Sequence, residues 1–320
     1  MKKILLLAAL LVGPLQFALA QTENYPARPI RVIVPFPPGG SVDLIARLVA
    51  PRLGENLGQQ IVIDNRSGAS GIIGTEFVAR AAPDGYTLLM NTVPLVANIS
   101  LYSRVPYDVL NDFAPISLVS TSPSLLAVHP SLPVHSVREL LQLAKARPGM
   151  LNYAGAGVGT NPHITGELFN YLGKVNITVV QFKGGGPGLI AAISGEISVI
   201  FSNIAETAPY VKAKRLRALG VSSLQRSPAF PDIPPIADSL PGYEFLTWHG
   251  LLAPRATPRA IVALLNERLK KTMASAEQIQ LFKERGLDIV TSTPEEFSAH
   301  LKSELTKWGR VIKERGMRAD

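Results

Sequence analysis

The sequence predicts an α/β protein with two lobes, each built on a mainly parallel sheet flanked by helices. Short apolar strands alternate with amphipathic helices through two separate stretches of the 320-residue chain. Such alternation is expected when helices cover both faces of a parallel sheet. About 300 residues remain after a predicted export signal, which is enough for two domains with substantial cores.

The chain begins with a segment typical of a secretory signal peptide. Residues 1–20 contain two early lysines, an apolar run and a final Ala-Leu-Ala. We expect cleavage after Ala20 and export to the periplasm, because the apolar run is short for a membrane span. A retained N-terminal anchor is the alternative interpretation.

The first series of strands and helices begins near Ile30. A strand at 30–35 leads through Pro37-Pro38-Gly39-Gly40 into an amphipathic helix. The strand QIVIDN, the small-residue turn RSGASG, a second helix and the strand YTLLMNT follow. The strands are apolar throughout rather than alternating, which indicates a sheet that is buried on both faces.

The second series begins near SLLAVHP. Ser136 and Glu139 have the spacing of a capping box and predict the start of a helix. The strands LNYAGAG, ITVVQF, ISVIFSN and LRALGVS then alternate with helices. This alternation again predicts a parallel sheet.

The C-terminal part follows a proline-rich stretch at 231–241, crosses through GYEFLTWHGLLAPR and continues as helices. Because helices without a sheet of their own need one to pack on, we expect them to return to the first lobe. The predicted lobes are therefore 21–122 with 245–320, and 123–244, with a ligand cleft between them. The last predicted helix carries an apolar stripe at helical spacing, formed by Phe297, Leu301, Leu305, Trp308 and Ile312.

Charge and composition argue against several classes of function. The formal net charge is +8, and removing Lys2 and Lys3 with the signal peptide leaves +6. The basic residues are scattered beside acidic ones, which favours solvated helix faces over a nucleic-acid interface. A positive protein still attracts anions at long range. The sequence contains no cysteine, which excludes disulfides and thiol catalysis.

Metal and serine-hydrolase sites lack the required patterns. His163 and Glu167 lie one helical turn apart, but two ligands do not close a metal site. The motif G-x-S-x-G of serine hydrolases does not occur. We therefore expect no metal, no cofactor and no catalytic residues.

Glycine-rich loops follow the strands at the sheet edge where ligands of open parallel sheets bind. The loops at 35–43, 155–161 and 183–188 lead directly into helices. The free amides of a helix start favour anions, by roughly 0.3 to 1 kcal/mol per contact. A tight turn is the alternative for any single loop, but the recurrence in both lobes predicts a carboxylate- or phosphate-binding cleft.

Long segments of the chain resemble the receptors of the tripartite tricarboxylate transporter family, also called Bug proteins. The resemblance is carried by PFPPGGSVDLIARLVAPRLGENLGQQIVIDNRSGASGIIGTEFVARAAPDGYTLLM, LNYAGAGVGTNPHITGELF, FKGGGPGLIAAISGEISVIFSN and WHGLLAPRATP. It implies a type II periplasmic-binding-protein fold, or Venus flytrap. It also implies capture of a small organic acid and its delivery to a membrane permease or a sensor protein. We expect a monomer.

Applied to the matching positions, the resemblance implies ligand contacts from both lobes. In such receptors the first strand-to-helix loop and the helix starts of the second lobe hold a ligand carboxylate. Asp43 would position waters or cap the turn, because its charge would repel that carboxylate. The implied binding residues are Phe36, Gly39, Gly40, Ser41, Asp43, Asn91, Thr92, Gly159, Thr160, Asn161, His163, Lys183, Gly184, Gly185 and Ser202.

Two positions leave the ligand open. Many family members carry an aspartate at Ser202, so an ammonium group on the ligand loses a counter-ion here if Ser202 faces the pocket. The site should then favour acids without a cationic group. Trp248 lies in the crossing segment and either lines the cleft or packs in the hinge.

Three other classes of function are alternatives to a transport receptor. An exported enzyme is one alternative, a ligand-sensing partner of a signalling system is another, and an anion-responsive regulator is a third. The regulator would need an N-terminal DNA-binding module where the signal peptide stands. Receptor and enzyme differ in whether the ligand is recovered unchanged after binding.

Overall fold

The computed structural model describes residues 25–314 and 316–319, so the predicted signal peptide lies outside the described residues. These residues form ten strands and ten α-helices. The strands are β1 (Ile30–Val34), β2 (Ile61–Asn65), β3 (Thr87–Asn91), β4 (Phe113–Val128), β5 (Asn152–Gly155), β6 (Thr178–Gln181), β7 (Val199–Asn203), β8 (Arg217–Val221), β9 (Leu246–Pro254) and β10 (Asp288–Ile289). The helices are α1 (Ser41–Leu57), α2 (Ile72–Ala79), α3 (Pro94–Leu101), α4 (Val137–Ala146), α5 (Asn161–Gly173), α6 (Gly185–Ser194), α7 (Ile204–Lys212), α8 (Arg259–Met273), α9 (Ala276–Glu284) and α10 (Pro294–Glu314).

All ten strands belong to one mixed sheet with the order β2-β1-β3-β9-β4-β7-β5-β6, while β10 and β8 also pair with β4. Strand β1 runs parallel to β2 and β3, and β5 runs parallel to β6 and β7. These are the two predicted βα series. The α/β fold is thus confirmed, with parallel pairs inside each βα series and antiparallel pairs where the two series join.

The long strand β4 joins the two parts of the sheet. Its first part, Phe113–Pro123, pairs with β9, and its last part, Ser124–Val128, pairs with β7 and β8. We call β2, β1, β3, β9, β10 and the first part of β4 the first half-sheet, and the remaining strands the second half-sheet. All of these β4 and β9 pairings are antiparallel, a direction that the sequence pattern did not predict. The lobe boundaries at 122–123 and 244–245 stay a prediction.

The helix start predicted from the capping box at Ser136 is confirmed, and a second box is found at Thr293. The Ser136 hydroxyl accepts a hydrogen bond from the Glu139 amide at 3.1 Å. At the start of α10, the Thr293 amide donates to the Glu296 carboxylate at 2.7 Å, and the Glu296 amide donates to the Thr293 hydroxyl at 3.1 Å. Each box satisfies amides that the first turn of a helix leaves free.

Helix α10 packs on the first half-sheet, as the apolar stripe predicted. Phe297, Leu301, Trp308 and Ile312 are buried in a cluster with Ile33 and Leu252, and Leu305 packs at its edge. Full burial of one such side chain contributes roughly 1.5 to 3 kcal/mol. The C-terminal helices therefore return to the sheet formed by the first βα series.

Trp248 packs inside the protein at the crossing segment. Its side chain is 2 % exposed, and its indole Nε1 donates to Glu304 Oε2 at 2.9 Å. The indole of Trp308 donates to the same oxygen at 2.9 Å. Trp248 thus packs against α10 in the core, and it is not among the residues that line the cleft.

No helix among residues 25–314 and 316–319 combines the length and the hydrophobicity that crossing a bilayer requires.

Candidate functional site

A cleft of about 520 Å³ opens at the carboxyl ends of β1, β3, β5, β6 and β7. This is the edge at which open α/β sheets bind ligands. The walls come from both half-sheets. The lining residues are Phe36, Pro37, Gly40, Ser41, Val42, Thr92, Pro94, Ala156, Thr160, Asn161, Pro162, Gly184, Gly185, Asn203 and Glu206.

The loop between β1 and α1 presents its backbone to the cleft. Gly39 adopts a φ of 86°, a left-handed conformation that glycine allows at little cost. Its amide donates to Asp43 Oδ2 at 3.0 Å, which fixes the turn before Gly40 and Ser41 reach the cleft wall. The two glycines therefore shape a loop whose backbone reaches the cleft wall at Gly40 and Ser41, beside the side chains of Phe36 and Pro37.

Asp43 supports this loop from behind. Its side chain is 5 % exposed, and it accepts hydrogen bonds from Arg47 at 3.0 Å and from Asn65 at 2.9 Å. Burial opposes ionisation, but the bonds from Arg47, Gly39 and Asn65 hold the pKa of Asp43 below its ordinary value. Both carboxylate oxygens are occupied, so Asp43 caps the turn, one of the two roles expected for it.

Three helices start at the cleft without a side-chain cap. The N-cap residues are Gly40 for α1, Thr160 for α5 and Gly184 for α6, and none of their side chains accepts a bond from the helix. Helix α7, by contrast, is capped by Asn203, which accepts from the Ala205 amide at 3.0 Å. Uncapped amides and the positive end of the helix dipole attract anions. We call these three starts open because their N-cap residues provide no side-chain bond, although the Ser41 amide of α1 does bond to Glu206. They give the cleft a positive potential without a cationic side chain.

The two half-sheets touch around the cleft. The Asn161 amide donates to the Thr247 hydroxyl at 3.2 Å. Gly184 approaches Pro37 so closely that a Cβ on the glycine would lie 2.9 Å from the proline ring. Since Pro37 belongs to the first βα series and Gly184 to the second, the two series contact each other across the cleft.

Glu206 is the acidic residue of the cleft, and the sequence analysis did not single it out. It lies on the first turn of α7 and accepts a hydrogen bond from the Ser202 hydroxyl at 2.6 Å. Burial raises the pKa of Glu206 to about 7, although the Ser202 hydroxyl and the Ser41 amide favour the ionised form. Among the described lining residues it is the one that titrates.

Ser202 lies beside the cleft rather than among its lining residues. Ser202 is buried, bonds to Glu206 and lines only a small cavity beside the cleft. The cleft nevertheless contains an acidic side chain, that of Glu206, which lies four residues after Ser202 in the chain. A residue on a helix start has no motif of its own, and only the fold shows that α7 reaches the cleft.

Eight of the predicted site residues line the cleft, and their role in binding stays a prediction. They are Phe36, Gly40, Ser41, Thr92, Thr160, Asn161, Gly184 and Gly185. Their common property is that they lie at a helix start or in the loop before one.

The other predicted residues lie outside the lining. Asn91 is buried and bonds to Thr75 at 3.0 Å, and the Gly159 amide donates to His163 Nδ1 at 3.2 Å. Burial lowers the pKa of His163, a buried residue on the first turn of α5. Lys183 is exposed to solvent. Gly39 and Asp43 shape the first loop, and Ser202 holds Glu206, as described above.

No group of three or more His, Cys, Asp or Glu side chains in the described part of the chain could hold a metal ion. Glu167, which the sequence places one turn from His163, accepts a hydrogen bond from the Tyr153 hydroxyl at 2.7 Å.

A curled α/β sheet that closes over an anion-favouring cleft defines a protein of the periplasmic binding protein class, with the type II-like fold of its solved relatives. A family model described as "Tripartite tricarboxylate transporter family receptor" matches residues 45–317. The chain belongs to this family, whose members are solute-binding receptors.

Individual relatives agree over almost the full length. Protein BugT of Bordetella pertussis is 36% identical over 297 residues, covering 92% of this chain and 91% of BugT. Rpa4515 of R. palustris, solved with adipate, has a TM-score of 0.89 at 36% identity and covers 92% of this chain and 99% of its own. MatC (Rpa3494) of Rhodopseudomonas palustris, solved with bound malate, has a TM-score of 0.85 at 31% identity over 90% of this chain and 100% of its own.

Proposed function

We propose that this protein captures a small organic acid in the cleft and delivers it to the membrane permease of a tripartite tricarboxylate transporter. The observation that carries the proposal is the convergence of three uncapped helix starts on one cleft. A ligand carboxylate can accept hydrogen bonds from such amides and gain from the helix dipoles. Relatives solved with adipate and with malate support a carboxylate as the ligand class.

The proposed receptor works in the periplasm and makes or breaks no bond in its ligand. Membership of a periplasmic receptor family supports both statements. The predicted signal peptide at 1–20 would direct the export.

The proposed closing units are residues 21–122 with 245–320, and residues 123–244. The shared strand β4 changes its partners between Pro123 and Ser124, which supports a hinge at the predicted boundary. Contacts across the cleft, such as Asn161 with Thr247, would form when the units close.

A thermal-shift screen of residues 21–320, stripped of co-purified ligand, tests this proposal. The panel contains adipate, malate, citrate, benzoate, glutamate and inorganic phosphate. A ligand at about 1,000 times its Kd adds roughly 4 kcal/mol, which raises Tm by several degrees. Stabilisation by carboxylic acids that are recovered unchanged supports the receptor. Consumption of the compound would instead indicate an enzyme, and a response to phosphate alone would contradict the ligand class.

A further inference from the structure

The carboxyl group of Glu206 lies where the helix starts of the two half-sheets meet. The Ser41 amide, at the first position of α1, favours its ionised form, as does the hydroxyl of Ser202. A Cβ on Gly185, at the first position of α6, would lie 3.4 Å from Glu206 Oε2. A ligand carboxylate held by the first amides of α6 would therefore lie within a few ångströms of this side chain.

Two carboxylates at such a distance do not both stay ionised. A like charge within about 4 to 6 Å raises the pKa of a carboxyl group, so one of the two takes up a proton. Glu206 is the group that accepts it more readily, since burial already raises its pKa to about 7. A free dicarboxylic acid such as adipate has carboxyl pKa values near those of Asp and Glu, about 4.

The charges around the cleft favour a neutral Glu206 when an anion is bound. Each helix start carries roughly half a positive charge, so the three open starts together provide about +1.5. The negative charge of an ionised Glu206 offsets most of this positive charge. When Glu206 is protonated and neutral, the positive charge of the helix starts attracts the ligand carboxylate instead. A protonated carboxyl group can also donate a hydrogen bond to the ligand carboxylate.

We propose that the cleft binds a carboxylate together with a proton, which Glu206 holds as a neutral carboxylic acid donating its O–H to the ligand. The proton comes from solvent, so capture of each ligand takes up a proton at a pH at which the free protein holds Glu206 ionised. This inference rests on the proposed function and deepens it. It makes Glu206 the residue that selects organic acids without a cationic group.

The other charged or titratable groups on the surrounding elements have partners other than Glu206 or are exposed to solvent. On α1, Asp43 pairs with Arg47 at 3.0 Å behind the loop. On α5, His163 accepts from the Gly159 amide, and Lys183 before α6 is exposed. No ion pair in the described part of the chain includes Glu206. A pH dependence of binding between 7 and 9 is therefore attributable to Glu206.

The test measures the Kd of adipate and of malate for wild type, Glu206→Gln and Glu196→Gln between pH 6 and pH 9. Both acids are fully ionised above pH 7, so any pH dependence there belongs to the protein. For wild type we expect the affinity to fall roughly tenfold per pH unit above about pH 7.5. Glu206→Gln, which keeps a donor but cannot titrate, should show less than about a twofold change over this range. Glu196 is exposed, so Glu196→Gln, with the same charge change, should behave like wild type.

Calorimetric titration in two buffers with different ionisation enthalpies counts the protons directly. At pH 8 the wild type should take up close to one proton per adipate, and Glu206→Gln close to none. Ser202→Ala provides a second variant, because loss of the hydroxyl removes a bond that favours the ionised form. Its pH midpoint for binding should shift upward relative to wild type.

The ligand-free protein gives an independent readout of the same group. A carboxyl whose folded pKa is raised stabilises the fold fully below its unfolded pKa of about 4.5 and loses that contribution as pH rises through about 7. Glu206→Gln should therefore raise Tm relative to wild type at pH 8 and lose this advantage at pH 4.5. An equal Tm difference at both pH values would overturn the raised pKa of Glu206.

The outcomes separate this inference from the proposed function. Binding of adipate or malate that is independent of pH, with no proton uptake, overturns the inference and leaves the receptor intact. Preferential binding of 2-aminoadipate over adipate, lost in Glu206→Gln, also overturns it and makes Glu206 the counter-ion of an ammonium group. If neither wild type nor Glu206→Gln binds any acid of the screen, the proposed function fails and the inference fails with it.

Discussion

Two carboxyl groups beside the cleft show how environment, and not residue type, decides their roles. Asp43 is held ionised by Arg47, Asn65 and the Gly39 amide, which lower its pKa. Glu206 has no cation beside it, and burial raises its pKa to about 7. One acid holds the first loop in shape, and the other faces the ligand space.

Glu304 is a third acidic residue whose contacts decide its role, here in stability. It is 8 % exposed, and its Oε2 accepts from the indoles of Trp248 and Trp308, both at 2.9 Å. Glu304→Ala would leave two buried N–H donors without a partner, at about 1 to 3 kcal/mol each. We expect a loss of roughly 2 to 5 kcal/mol in the free energy of unfolding, measured by urea denaturation.

The matched control for this variant lies on the same helix. Glu295 is exposed on the first turn of α10, so Glu295→Ala should cost less than about 1 kcal/mol. Equal losses of unfolding free energy in the two variants would show that the indole bonds do not stabilise the packing of α10 on the first half-sheet. Ligand affinity should be unchanged in Glu295→Ala.

Much of the cleft could be predicted from the sequence, because its loops have a local signature. Gly40, Thr160 and Gly184 each follow an apolar strand and precede a helix, and all three line the cleft. Glu206 has no such signature, since an acid on a helix start is most often a solvated dipole partner. Its position depends on how α7 lies against α1 across the cleft, which is a tertiary property.

At the scale of an element, the start of α6 makes a prediction about closure. Gly184 has a φ of 111°, and a Cβ there would lie 2.9 Å from Pro37 on the opposite side of the cleft. Gly184→Ala should therefore resist the closed form and weaken adipate binding at least about tenfold, or 1.4 kcal/mol. Calorimetric titration at a fixed pH measures the change.

Two residues further on, the same helix offers the control. A Cβ on Gly186 would meet nothing within 4 Å, and alanine is the better helix former by roughly 1 kcal/mol. Gly186→Ala should bind adipate within about twofold of wild type. A loss of adipate binding in Gly186→Ala would mean that the start of α6 tolerates no side chain. The contact with Pro37 would then not explain the weaker binding of Gly184→Ala.

The whole molecule shows why the strand directions at the centre could not be predicted. Strands β4 and β9 are apolar along most of their length, as are the parallel strands around β1. Burial on both faces produces this pattern in either direction, so it does not encode whether a neighbour runs parallel. The antiparallel pairing of β4 with β9 therefore became visible only in the structure, although the sequence predicted the two βα series.

Strand β4 runs through both half-sheets, which leads to a prediction for the whole molecule. If the two half-sheets move relative to each other about β4, the distance between them should change on ligand binding. Ile73 on α2 and Ile190 on α6 are 55 % and 67 % exposed, one on each side of the cleft. The chain contains no cysteine, so Ile73→Cys with Ile190→Cys can carry two spin labels without other substitutions.

For the Ile73 and Ile190 pair, pulsed electron–electron double resonance should find a broad distance distribution without ligand. With saturating adipate the distribution should become narrower and its mean distance shorter. Met150 is 73 % exposed in the second half-sheet, so the pair Met150→Cys with Ile190→Cys should give the same distance in both states. A ligand-induced change in this control pair would mean that the second half-sheet deforms internally. Identical distributions for the Ile73 pair would mean that ligands enter without closure. Glu206 would then face a cleft whose walls stay fixed, and the affinity loss expected for Gly184→Ala would disappear with the hinge.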